Sequence, residues 1–285
     1  MEVKSILVPL SGAESDRISL ETASRVARLF SSHINAVHVQ RSIVEQVATL
    51  TMGAGAISQE VWDTLAAESR NRETSARKQL DALCRNEGFA VLDEPTPGPP
   101  TASWQSFVGV PKSTLTLLGR FCDLLVVGRE AALYGLDIDS LGEILLRCGR
   151  PMLIASSKRR EQLCESVAVA WKDTAQSAHA LTAARPFLAR ARKVFVLQVK
   201  EEPSAEFSAQ ELVRQLRWGN CDAELHSLMP MPSGTTRALL AAASSLNVDL
   251  LVAGGYGHSR AREFILGGVT RDLLENCPLP VLMTH

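Results

Sequence analysis

Apolar runs of four to six residues alternate with amphipathic, helix-length stretches along the whole chain, the pattern of an α/β fold around a parallel sheet. The spacing predicts a buried strand at 6–10, a helix over 15–30 and a second strand at 34–39. A long polar, helix-prone stretch follows over 58–86, then a third strand at 89–92. A helix over 113–121 leads to a strand at 124–127, and a helix near 141–148 and a strand at 152–155 close the first half. The second half repeats that order, with strands at 167–171, 194–199, 223–228, 250–253 and 281–283. Its helices are predicted at 174–190, 209–218, 235–246 and 269–276.

Two offsets quantify the repeat. The segment Asp123-Leu-Leu-Val matches Asp249-Leu-Leu-Val at 249 − 123 = 126, while laying Val8 on Ala170 gives 170 − 8 = 162. The difference, 162 − 126 = 36, assigns extra residues to the first half, in the polar stretch 42–86 and the proline-rich run at 95–100. Two tandem domains follow, over 1–157 and 164–285, joined by a charged linker that includes Lys158-Arg-Arg-Glu161.

Composition narrows the function classes. Thirty basic residues against thirty-one acidic ones give a net charge of −1, with no electrostatic pull toward nucleic acid. No run approaches the roughly 18 apolar residues that span a bilayer, and the N-terminus lacks the pattern of a signal peptide. A cytoplasmic protein is expected. The six cysteines form no C-x-x-C pair and read as reduced, packed thiols, with no metal site. No nucleophile–base pair, G-x-S-x-G elbow or G-x4-G-K-[ST] loop is present, so no catalytic residue is assigned.

In an open parallel sheet ligands bind beyond the strand C-termini, where strand order reverses. After the fourth strand of the second half runs Gly254-Gly-Tyr-Gly257-His258-Ser-Arg-Ala-Arg-Glu-Phe-Ile-Leu-Gly267-Gly268-Val269-Thr270. Glycines permit close backbone approach to an anion, and Gly267-Gly268 opens a helix whose first N–H groups are unpaired. Thr270 adds a hydroxyl, and His258, Arg260 and Arg262 add positive charge.

This spacing, G-x2-G-x9-G, resembles the phosphate loop of the universal stress protein family. The resemblance extends to AWKDTAQSAHAL in the second half and ILVPLSGAESDRISLETA in the first, and so spans the chain. It implies two tandem universal-stress-protein-like domains, each a five-stranded parallel sheet in the order 3-2-1-4-5 with helices on both faces. It also implies an adenine nucleotide, ATP or AMP, with Mg2+ accompanying ATP, and a stress-response role. Carried over position by position, Gly254, Gly257 and Gly267 fall on the loop glycines, and Gly268 stands where a Ser or Thr is usual. Lys172, with Asp173 beside it, replaces the first-strand Asp, and Val199 adjoins the base. Trp171 reads as core.

In the first half, Gly128-Arg-Glu-Ala131 lacks the second glycine, Ser11 replaces the first-strand Asp, and Ile138 and Asp139 align with Gly267 and Gly268. That half is expected to bind no nucleotide. The resemblance further implies that the two domains pair within the chain through the strands at 152–155 and 281–283, and leaves open a homodimer. Two alternatives stand beside nucleotide binding: an interaction module that binds none, and a slow ATPase.

Overall fold

A computed structural model describes residues 2–44, 46–47, 58–129, 136–156, 162–200, 205–255 and 267–285. Gly257, His258, Arg260, Arg262, Ala131 and the linker run 158–161 lie outside the described residues.

Among the described residues eleven strands form one continuous sheet. The first half supplies β1 (Ser5–Pro9), β2 (His33–Gln40), β3 (Ala90–Val91), β4 (Thr101–Val108), β5 (Leu124–Val127) and β6 (Met152–Ile154). The second supplies β7 (Ser166–Ala170), β8 (Lys193–Val199), β9 (Ala223–Leu228), β10 (Leu250–Gly254) and β11 (Val281–Thr284). Their order is β3-β4-β2-β1-β5-β6-β11-β10-β7-β8-β9. Each half therefore holds five parallel strands in the order 3-2-1-4-5, and the first adds β3 at its outer edge. At the junction β6 and β11 pair antiparallel, with Leu153 opposite Leu282.

Eight helices are used below: α1 (Asp16–Phe30), α2 (Gln59–Glu87), α3 (Pro111–Gly119), α4 (Ile138–Cys148), α5 (Ala175–Leu188), α6 (Ala205–Trp218), α7 (Thr235–Ser245) and α8 (Gly268–Asn276). Burial along the strands alternates between two apolar layers, as a sheet covered on both faces requires. One layer packs Val8, Ile34, Val169 and Val196 under α1, α2, α5 and α6. The other packs Leu7, Leu125, Ala168 and Leu251 under α3, α4, α7 and α8. Both layers run through both halves, and across the first Phe30 of α1 meets Phe187 of α5 edge to face at 5.1 Å.

Two expectations need correction. The third strand of the first half is β4 at Thr101–Val108, paired with β2 over eight residues; the segment expected at 89–92 supplies only the two-residue β3. The sequence TASWQSFV is half polar, and beyond its first four residues it is largely exposed, so hydrophobic patterning hides it. The repeat offset also shifts by one. Ser5 and Ser166 each begin a strand with its backbone N–H on the matching aspartate, Asp123 at 3.0 Å and Asp249 at 3.1 Å. The strand offset is thus 166 − 5 = 161, and Val8 corresponds to Val169, on the same face, rather than to Ala170.

Candidate functional site

The strand register gathers the predicted residues of the second half at one end of the sheet. Ala170, the last residue of β7, lies opposite Ala253 of β10 and Leu197 of β8. Trp171, Lys172 and Asp173 therefore leave the sheet beside Gly254 and Val199, at the point where strand order reverses. Lys172 and Asp173 are exposed. The chain turns there because Thr174 caps α5: its Oγ1 accepts the Ser177 N–H, and its own N–H reaches the Lys172 carbonyl at 2.8 Å. Trp171 is half-buried against the core and its indole N–H donates to Ser208 Oγ at 3.1 Å, a packing role rather than an exposed stacking platform. Val199 is half-buried over the opposite layer.

The glycines divide into two kinds. A Cβ on Gly254 would lie 2.7 Å from the Gln176 carbonyl carbon and the Ser177 nitrogen, so this glycine lets β10 meet the first turn of α5. Gly128 does the same in the first half, where a Cβ would lie 2.7 Å from Ser19 Oγ. Gly267 and Gly268 meet no such demand. Gly267 caps α8 with φ −63° and ψ 150°, an ordinary extended conformation. A Cβ at either position would have nothing within 4 Å. What their missing side chains leave open is the approach to the first N–H groups of α8, where the helix presents partial positive charge. Val269 is 38% exposed there, whereas Thr270 is 5% exposed and faces inward.

The corresponding places in the first half are filled by the chain's own carboxylates. Helix α4 begins one residue earlier than the strand alignment implies, so Asp137, rather than Ile138, takes the cap position of Gly267. Asp137 Oδ1 accepts the Ser140 N–H at 2.8 Å. That hydrogen bonding, with Lys112 and Arg41 nearby, holds its carboxyl below the usual range. At the other side of the site Asp16 accepts the N–H groups of Ser11 at 2.8 Å and Gly12 at 2.7 Å, and the Ser11 hydroxyl at 2.8 Å. Burial pushes its pKa up against those bonds. The offset of 161 places Ser177 where Asp16 stands. Between Asp16, Val39, Pro111, Leu115 and Gly128 remains a cavity of about 40 Å³. That is room for a few waters, each needing about 10–15 Å³ on this measure.

Other candidate chemistry is absorbed by packing. His38 is buried, with Nδ1 2.7 Å from the Leu10 carbonyl and its ring stacked on Trp104. All six cysteines are free, and burial pushes Cys84 and Cys122 up to about 11 and Cys164 up to about 12. Among the described residues no group of His, Cys, Asp and Glu could hold a metal ion, and no helix is long and apolar enough to cross a membrane.

The segment 233–285, which contains α7, β10, α8 and β11, matches the model of the universal stress protein family. Across the whole chain the fold is that of universal stress proteins. A universal stress protein from Archaeoglobus fulgidus superposes with a TM-score of 0.72 at 14% identity, covering 99% of this chain and 96% of the other. A putative universal stress protein from Pseudomonas aeruginosa gives 0.56 at 15% identity, covering 99% and 93%. A functionally unknown protein from Pseudomonas aeruginosa gives 0.58 at 15%, covering 99% and 92%. These likenesses carry the fold and no more. No curated protein matches the chain. Two features escaped the sequence reading: Asp16, whose spacing from Ser11 is an ordinary helix start, and Arg129, whose partners lie in the other half.

Proposed function

We propose that this chain binds an adenine nucleotide, ATP or AMP, in its second domain and acts in a stress response through that bound state. The observation that carries the reading is the start of α8. Gly267 and Gly268 are demanded neither by φ nor by packing, and they leave open the helix amides that Asp137 closes in the first half. A phosphate there would meet several converging N–H groups, each favourable helix-end interaction contributing about 0.3–1 kcal/mol. Gly257, His258 and the backbone N–H groups of Val269 and Thr270 would complete the phosphate end, the buried Thr270 hydroxyl being turned away from it, while Lys172, Asp173 and Val199 would face the nucleoside. Mg2+ would enter with the phosphates of ATP.

On this reading the domains are 1–157 and 164–285, the first a partner domain that has lost its ligand. The β6–β11 pairing stands where two single-domain chains would otherwise dimerise, and the site of action is the cytoplasm. Binding is proposed and catalysis is not. Mass spectrometry of the natively purified protein tests the reading: ATP, ADP or AMP should co-purify with the chain and be lost from Gly267→Asp, which brings a carboxylate to the helix start. An empty wild-type protein that also fails to take up added ATP or AMP would favour the interaction module instead.

A further inference from the structure

Helix α8, whose first turn is the proposed phosphate site, does not end on a left-handed residue. Its pseudo-symmetric counterpart α4 ends on Gly149 in the left-handed region, φ 67°, the usual way of closing a helix. Helix α8 ends instead on Cys277 in an extended conformation, φ −68° and ψ 123°. Its last carbonyls nevertheless find a donor, and that donor belongs to the first domain. Arg129, two residues after the end of β5, donates through Nη1 to the carbonyls of Leu273 and Leu274, both at 2.5 Å, and through Nη2 to that of Leu279 at 3.1 Å. A cation at a helix C-terminus also opposes the partial negative charge there.

The first domain grips the other end as well. Arg271, in the first turns of α8, pairs with Asp139 of α4 at 2.8 Å. The arrangement is one-sided. The residue equivalent to Arg129 at the offset of 126 is Gly255, which has no side chain to donate to the carbonyls of α4. A Cβ there would already lie 3.0 Å from Leu145 of α4. Gly128, the neighbour of Arg129, lines the small first-domain cavity, so one strand end touches both the vestigial site and the helix of the other domain.

From this geometry we infer that Arg129 is a positioning residue for the second domain's nucleotide site, the first domain supplying the cap that holds α8 in place for phosphate. The inference rests on the proposed function for its ligand and on the structure alone for its effect on α8. Two variants test it: Arg129→Met, which keeps the stem and removes the donors, and Arg129→Lys, which keeps the charge. Calorimetry with ATP and with adenosine is read beside hydrogen exchange of the amides in 268–276.

Arg129→Met is expected to weaken ATP about tenfold, as loss of a partly buried helix-end charge implies, with adenosine affinity unchanged. Amides of α8 should exchange faster while those of β10 do not, and Arg129→Lys should recover part of both effects. Equal loss for ATP and adenosine would overturn the inference, since general destabilisation acts on both. Unchanged ATP affinity with unchanged α8 exchange would overturn it too. If the wild-type chain binds neither ligand, the proposed function falls, and α8 exchange alone decides the role of Arg129. If Arg129→Met does not fold, Arg129→Lys is read in its place, with weakened ATP binding or faster α8 exchange expected and wild-type behaviour in both overturning the inference.

Discussion

A methyl group added at Gly254 would press on backbone atoms of α5, which cannot swing aside as a side-chain tip can. Gly254→Ala should therefore destabilise the fold by about 1–3 kcal/mol, the range for overpacking a close contact, and lower the midpoint of a thermal melt. Gly268→Ala should do the opposite: the position is open and helical, where alanine is favoured over glycine by up to about 1 kcal/mol. Its melt should be unchanged or higher while nucleotide affinity falls. Two glycines of one motif would then separate, one acting through packing and the other through access. At the same scale, His33 is buried with its ring nitrogens 2.7 Å from Thr101 Oγ1 and 3.0 Å from Ser103 Oγ. Burial holds its pKa below the ordinary value of about 6.5. The unfolded chain then takes up the proton first. Stability from the neutral ring is present above about pH 6.5 and is lost as pH falls from there through the folded pKa. Thermal melts across this range should show a shallower acid slope for His33→Gln than for wild type; equal slopes would contradict the assignment.

The elements were legible where their chemistry is local. Strands such as Leu124–Val127 and Leu250–Gly254 are buried on both faces and read as unbroken apolar runs. Strand β4 was not legible, because Gln105 and Ser106 are exposed and its pairing with β2 is set by register rather than by its own hydrophobicity. The one-residue error in offset has another origin: an unbroken apolar run, as in β1 and β7, slips by one and still reads as apolar. What fixes the register is polar. Asp249 receives the N–H groups of Cys164, Glu165 and Ser166, so the start of β10 is tied to the start of β7. Asp249→Ala would strip three N–H groups of their acceptor. It should cost about 1–3 kcal/mol for each that stays buried and unpaired, read as a lower denaturation midpoint.

At the scale of the whole molecule, the two halves share one sheet and two continuous apolar layers. The contacts crossing the seam are of several kinds: the β6–β11 ladder, Phe30 on Phe187, Arg190 over the Phe30 ring at 4.2 Å, and Arg129 on the end of α8. Such a shared core should unfold in a single calorimetric transition, whereas two resolved transitions would show that the halves fold independently. The asymmetry between the halves was only partly visible in sequence. The missing glycine of the first-half loop is plain, but the closure of that site by Asp16 and Asp137 depends on where their carboxylates land. That asymmetry makes the central claim countable. Isothermal titration of the intact chain with ATP and with AMP should give one nucleotide per chain, abolished by Gly267→Asp; two equivalents, none, or one that survives Gly267→Asp would contradict the account.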